Sequence, residues 1–366
     1  TGSSWTTAST IGIGLMGVAI TQDLNLGLAA GAIISGAYFG DKLSPLSDTT
    51  NLAAAMAGTD LFTHIRHMVW TTTPSFLIAV GFFVIAGFVG AQPAPTNNME
   101  VVLRDLDAQF SIGLHLLLPV VLVIILVLKK MPAFPAILLG ALVGGLFAAV
   151  FQQTTVLTYV GDTDLPRTVA LIKGVWIAMF DGFVLNSGNA TLDELLSRGG
   201  MSSMFGTIWL IMTAMMFGGA MEASRMLQRI ADGILSFVRG TASLIAATIV
   251  TCISTNVIAS DQYISIVLPG RIFRAEYRNR RLHPKNLSRT IEDAGTLTSP
   301  LIPWNTCGAF MSQALGVATL TYLPFCFFNL ISPLIAGIYG YTDFKITRLG
   351  ASDSDEPEDV EHALGP

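Results

Sequence analysis

The stretch Gly40-Asp41-Lys42-Leu43-Ser44-Pro45-Leu46-Ser47-Asp48-Thr49-Thr50-Asn51 sets two carboxylates, four hydroxyls and an amide side by side in an otherwise apolar region. Hard cations take oxygen ligands, so carboxylate, hydroxyl, amide and backbone carbonyl oxygens together suit sodium. Pro45 lacks a backbone donor and disfavours helical geometry at Ser44, so a helix entering this stretch must break there. A break frees carbonyl oxygens and exposes two helix ends. Asp48, among hydroxyls and near Asn51, reads as an ion or proton carrier, with Ser47 and Thr49 as further ligands. It also suits the N-cap of a helix over Thr49 to Gly58, and the two roles are compatible. Asp41 can serve the same site or pair with Lys42.

A second stretch repeats the pattern. Ser299-Pro300-Leu301-Ile302-Pro303-Trp304-Asn305-Thr306 offers an amide and a hydroxyl at a Pro-marked break. Glu292 and Asp293 precede Pro300 by about two helical turns. No Asp matches Asp48 here, so the half-sites are unequal, one able to carry charge and the other offering dipoles. Asp261, beside Ser260 and Gln262, is a further membrane-depth carboxylate, suited either to coupling or to pairing with the basic loop that follows Pro269. Glu222, at the end of a Met-rich apolar segment, fits a proton carrier or a pair with Arg225 or Arg229. That segment's methionines suit flexible packing, and Gly218 and Gly219 permit close helix approach.

Phosphate loops, nucleophile arrangements and Cys/His metal spacing are missing from the sequence, and the basic loop lacks the aromatic interleaving of a nucleic-acid surface. The expectation is therefore neither an enzyme nor a nucleic-acid binder, with no cofactor beyond transported Na+ and H+. Cys252, Cys307 and Cys326 lie in or beside apolar segments and read as core thiols. His115 falls in an apolar segment, and His64 and His67 are expected in a loop.

These residues need elements that hold them at membrane depth. Of 366 residues, 52% are hydrophobic and 12% charged, against about 25% charged in an ordinary soluble domain. Mean hydropathy is +0.61. Runs such as Thr71 to Gly90, Ile112 to Leu128 and Ala133 to Gln152 approach the ~20 apolar residues that a helix needs to span a bilayer. They lack the alternation of barrel strands, which leaves helices as the spanning elements. About ten such segments can be traced, so the fold class is an all-α polytopic membrane protein resting in a lipid bilayer.

Lys and Arg collect on cytoplasmic loops. The cluster Arg271, Arg274, Arg278, Arg280, Arg281, Lys285 and Arg289 is placed inside, and counting segments puts Lys129, Lys130, His64, Arg66, His67, Lys345 and Arg348 inside as well. The loop with Glu100, Asp105 and Asp107 falls outside. Segments one to three then run opposite to segments eight to ten, and both triplets carry matching polar interruptions. Gly2 to Thr7 matches Ser254 to Asn256 with Ser260 and Asp261; Ser44 to Asn51 matches Ser299 to Thr306. Inverted repeats with discontinuous helices are expected. The organisation is 1–90 as a first repeat unit, 91–240 as connecting transmembrane segments, 241–342 as a second unit and 343–366 as an acidic, disordered cytoplasmic tail, Asp353 to Glu361 supplying much of the net charge of -5. Thr1 to Thr10 read as the polar middle of a membrane helix, so the chain is expected to begin inside its transmembrane domain.

Tyr38 to Leu52, Thr63 to Met68, Gly200 to Met204, Phe217 to Glu222 and Asp293 to Thr306 resemble the patterns of the NhaC sodium/proton antiporter family, with that family's opening helices missing from this chain. The resemblance implies exchange of sodium for protons across the cytoplasmic membrane, pH homeostasis as the setting, and Na+ at Asp48, Asn51 and Asn305. It also covers members similar to malate/lactate antiporters, which brings in small organic acids as alternative substrates. Distant relatives bind sodium at Ser/Asn/Thr motifs in two inverted hairpins and often assemble as dimers, which implies a homodimer here. Ser47 to Asn51 and Asn305-Thr306 occupy comparable positions, and Asp48 departs from the neutral Asn of those relatives.

Overall fold

The computed structural model describes residues 2–90, 104, 106–129, 131, 133–162, 164–185, 193 and 196–350. Glu100, Asp105 and Lys130, and the acidic tail from Asp353 to Glu361, lie outside the described residues. Among the described residues the only paired strands are Gly182–Phe183 (β1) and Arg198–Gly199 (β2). The remainder is mostly helical, as apolar runs without alternation require.

The first helical group opens with Ser4–Thr7 (α1), which passes through a π turn at Ala8–Gly12 into Ile13–Thr21 (α2). Next comes Leu26–Lys42 (α3), started by the Asn25 side chain, which accepts from Leu28 N at 2.9 Å. Pro45 ends it as expected. Asp48–Ala57 (α4) restarts the chain with Ser47 as N-cap, its hydroxyl accepting from Thr50 N at 3.3 Å. Asp48 is therefore the first residue of the helix rather than its cap, placed where a carboxylate complements the helix dipole. Gly58, at φ +76°, stops α4 in the left-handed conformation that glycine adopts without a Cβ penalty.

Leu61–Gly90 (α5) follows, with Pro74 inside it. Proline cannot donate to the carbonyl four residues back. That carbonyl, Trp70 O, accepts instead from the Tyr339 hydroxyl at 3.1 Å. The same helix corrects the expected loop at His64 and His67. Asp60 accepts from Thr63 N at 2.9 Å and starts α5 before them, so both histidines lie one turn apart on a helix and are buried.

The middle of the chain holds Leu118–Leu128 (α6), Ala133–Phe151 (α7), Gln153–Val160 (α8) and Arg167–Phe180 (α9), packed on one another, then Phe205–Ala223 (α10) and Met226–Leu235 (α11). The second helical group comprises Thr241–Ile258 (α12), Gln262–Asn279 (α13), Pro284–Ile291 (α14), a π turn at Glu292–Thr296, Thr306–Leu315 (α15), Thr319–Tyr322 (α16) and Phe327–Thr342 (α17).

The two groups share local geometry. Each contains a ten-residue half-helix after the break, α4 and α15, closed by a left-handed glycine, Gly58 and Gly316 at φ +76° and +70°. Each long closing helix carries an internal proline, Pro74 or Pro333. Gly2 and Ser260 both have positive φ, and each is followed by an extended N-cap, Ser3 or Asp261. The groups also exchange their half-helices. Ala53 and Ala57 of α4 belong to the apolar core of Leu244, Ile266, Phe273, Leu287 and Ile291. Met311 and Leu315 of α15 belong to a core that includes Met16, Ala30, Ile34 and Tyr38 of the first group.

Among the described residues, three helices can cross a membrane by length and composition, Leu61–Phe88, Met201–Ala223 and Thr241–Ile258, and five spans result if two bent pairs each count as one. The sequence traced about ten apolar segments by the spanning-length criterion. The breaks explain much of the difference, because they divide apolar segments into half-helices of ten residues, such as α4 and α15.

Candidate functional site at the two broken helices

The breaks bring polar groups of both helical groups into one buried region. Lys42, the last residue of α3, makes an ion pair with Asp293, the second residue of the π turn, and both side chains are fully buried. Thr71 of α5 donates to the same carboxylate, Oγ1 to Oδ1 at 3.3 Å. Lys42 thus pairs across 251 positions rather than with its neighbour Asp41. Asp41 accepts instead from Ser4 N at 3.1 Å, joining α3 to the first turn of α1.

One turn along the other face, Thr49 Oγ1 lies 3.0 Å from Ser47 Oγ and donates to Glu292 Oε1 at 3.3 Å. Thr50 Oγ1 donates to the Lys42 carbonyl at 3.2 Å, closing the backbone across the break. Asp41 Oδ1, Glu292 Oε2 and Asp293 Oδ2 are buried and have no hydrogen-bond partner. A bare carboxylate oxygen away from water is costly.

The second break is an amide lattice. Asn305 caps α15, its Oδ1 accepting from Cys307 N at 3.0 Å, and its Nδ2 donates to Asn256 O and Oδ1 at 3.1 Å each. Asn256 in turn donates to Gly295 O at 2.6 Å and Thr298 Oγ1 at 3.0 Å. Gln262 Oε1 accepts from Ser299 Oγ at 2.8 Å and Cys307 Sγ at 3.0 Å. Thr306 N donates to Ser260 O at 3.0 Å, so the start of α15 rests on the break between α12 and α13. Asp261 caps α13 through Tyr263 N at 2.9 Å and Ile264 N at 3.1 Å, which occupies it locally rather than with the basic loop.

Asp48 and Asn51 lie on the exposed side of the first break. Asp48 Oδ2 accepts from the Tyr263 hydroxyl at 2.5 Å, a direct bridge between the groups. Asn51 Nδ2 donates to Pro45 O at 2.9 Å and Ser47 O at 2.6 Å, holding the turn closed. Asn305 and Thr306 are buried. Glu222 is exposed near the end of α10 and makes no ion pair with Arg225 or Arg229. Gly218 of the same helix packs so closely on the α12–α13 break that a Cβ there would stand 2.6 Å from Ala259 O. Met212, Met215 and Met216 are exposed rather than packed into a core.

Of the sequence candidates, Asp41, Ser47, Thr49 and Asp293 converge on the buried region, Asp48 and Asn51 stand at its exposed rim, and Asp261, Asn305 and Thr306 form the second break. Glu222 is separate. From the sequence, Glu292 and Asn256 stand only beside other candidates, and Tyr263 and Thr71 are not marked at all. Consecutive acids at Glu292-Asp293 ahead of a Pro-marked break were the available signal for the first; Tyr263 and Thr71 become visible only in three dimensions.

The family model described as the Na+/H+ antiporter family matches residues 36–344, which include both breaks. The chain belongs to the Na+/H+ antiporter family. It is 41% identical to the Na+/H+ antiporter NhaC of Alkalihalophilus pseudofirmus, over 95% of this chain and 72% of that protein. It is 38% identical to the Na+/H+ antiporter NhaC of Bacillus subtilis, over 93% and 72%. It is 34% identical to the malate-2H+/Na+-lactate antiporter of Bacillus subtilis, over 93% and 70%. No solved structure matches the chain. Membership fits a multi-pass membrane protein of several apolar helices. Among the described residues, no group of three or more His, Cys, Asp or Glu side chains has the geometry of a metal site.

Proposed function

We propose that this chain exchanges Na+ for H+ across the cytoplasmic membrane at a site between its two broken helices. One observation carries the reading: Asp41, Glu292 and Asp293, from both helical groups, are buried and each keeps one oxygen without a partner. Each such oxygen requires a positive charge to remain out of water. A proton or a sodium ion can supply it, and the two exclude each other at one oxygen. Alternating exposure of such a site to the two sides couples their fluxes in opposite directions.

In this reading 1–90 and 241–342 are inverted repeats, within about ten spans. The paired ten-residue half-helices, their left-handed glycines and their exchanged cores support it. Residues 91–240 form the connecting segments, and 343–366 is a cytoplasmic tail. Asp48, with Asn51, receives the ion at the rim, and Asn305 with Thr306 offers dipoles at the opposite break. A homodimer is the expected assembly. No bond-making chemistry and no cofactor enter this cycle.

The test uses everted vesicles with a pH-sensitive dye. Na+ addition to vesicles with the wild-type protein should dequench the dye, and Asp48→Asn should lose most of that response. Full sodium-dependent dequenching in Asp48→Asn removes Asp48 from the carrier role. The 34% identity to a malate-2H+/Na+-lactate antiporter favours one second reading, exchange of small organic acids, whose carboxylates would meet the N-termini of α4, α13 and α15. Counterflow of labelled malate or lactate separates it from exchange of cations alone.

A further inference from the structure

Glu292 is fully buried, and its Oε2 has no hydrogen-bond partner. It opens the π turn Glu292–Thr296, in which Thr296 is likewise fully buried with its hydroxyl unpartnered. The Thr296 hydroxyl lies beside Glu292, whose carboxylate also feels the charge of Asp41, and the Ser47 hydroxyl lies beside Asp41. Thr49 Oγ1 completes the ring, 3.3 Å from Glu292 Oε1 and 3.0 Å from Ser47 Oγ. All five side chains are at most 4% exposed. π turns recur at functional positions because the extra residue redirects side chains and carbonyls from their helical partners.

From this geometry we infer that Glu292, Thr49, Ser47, Thr296 and Asp41 form a dehydrated cage of oxygen ligands for one monovalent cation, sodium in the exchange proposed above, on which this assignment rests. The donors are the hard oxygens that alkali cations accept. The local charge favours a cation. Asp41, Glu292 and Asp293, with Asp48 acting on Asp41, outnumber Lys42, which pairs with Asp293, and Arg289, which lies near Asp293. Thr296 sharpens the assignment, because its buried hydroxyl faces Glu292 and a valine of the same shape removes that oxygen while keeping the packing.

The test titrates Na+ against the purified full-length protein by calorimetry at fixed pH and measures the Na+ KM of exchange in proteoliposomes. Glu292→Gln should weaken Na+ at least about ten-fold. Thr296→Val should weaken it roughly three-fold or more, while melting at or above the wild-type temperature. Wild-type Na+ affinity and KM in both variants overturns the cage. If Glu292→Gln does not yield a monodisperse protein, Thr296→Val decides alone. Should both variants keep wild-type affinity while the wild-type protein still moves protons in response to Na+, the ligands fail and the exchange reading stands. Wild-type protein that moves no protons in response to Na+ refutes the exchange reading itself.

Discussion

Replacing Lys42 by methionine removes the ammonium while keeping the length of the stem and its packing. Asp293 is then left as a fully buried carboxylate with only the Thr71 hydroxyl on it. Removing one partner of a buried ion pair costs about 3–5 kcal/mol, because the remaining charge has lost both water and its counter-ion. Arg289 lies near Asp293 and takes over part of the compensation, which places the expected loss at the lower end, about 3 kcal/mol. With an unfolding entropy of about 2.1 cal/mol/K per residue over 366 residues, that loss lowers Tm by about 4 °C. The assay is thermal unfolding of the purified protein in detergent, following intrinsic fluorescence at fixed pH. Lys42→Met combined with Asp293→Asn should recover most of the loss, since the amide can still accept from Thr71 and no unpaired charge remains. Unchanged melting of Lys42→Met, or a further fall on adding Asp293→Asn, would refute the view that this pair ties the two helical groups together.

Substitutions at two other positions probe how the breaks are held. Gly218→Val forces a Cβ into a place 2.6 Å from Ala259 O, a backbone atom that cannot yield cheaply; overpacking of this kind costs about 1–3 kcal/mol, read as a lower yield and Tm. Asn305→Ala removes the cap of α15 and leaves Asn256 Oδ1 without its donor. A lost cap and a buried orphan group together cost about 2–4 kcal/mol. Asn305→Asp keeps the cap acceptor but sets a buried carboxylate oxygen against Asn256 O and Oδ1, so its Tm should fall to that of Asn305→Ala or below it.

Composition and local chemistry were enough to place the chain in a membrane and to mark where its helices break. The ratio of apolar to charged residues decides the solvent, and Pro45, Pro300 and Pro303 decide the breaks, because both effects act within a few residues of their cause. The helix starts at Ser47-Asp48 and Asn305-Thr306 were legible for the same reason. Span length was less legible. A break consumes hydrogen bonds rather than hydrophobicity, so an apolar run can hold two half-helices and still look like one span.

Pairing lay beyond the sequence. Lys42 stands next to Asp41, and adjacency suggests a pair, yet successive residues of a helix point about 100° apart. The fold brings Lys42 to Asp293, Thr49 to Glu292 and Asp48 to Tyr263. Which carboxylates would be buried depended on how α4 and α15 cross into each other's core, a long-range event that no local pattern encodes. The sequence by itself determined the elements and the stock of oxygen ligands. The tertiary structure alone decided which of those oxygens lost their partners, because desolvation is a property of packing.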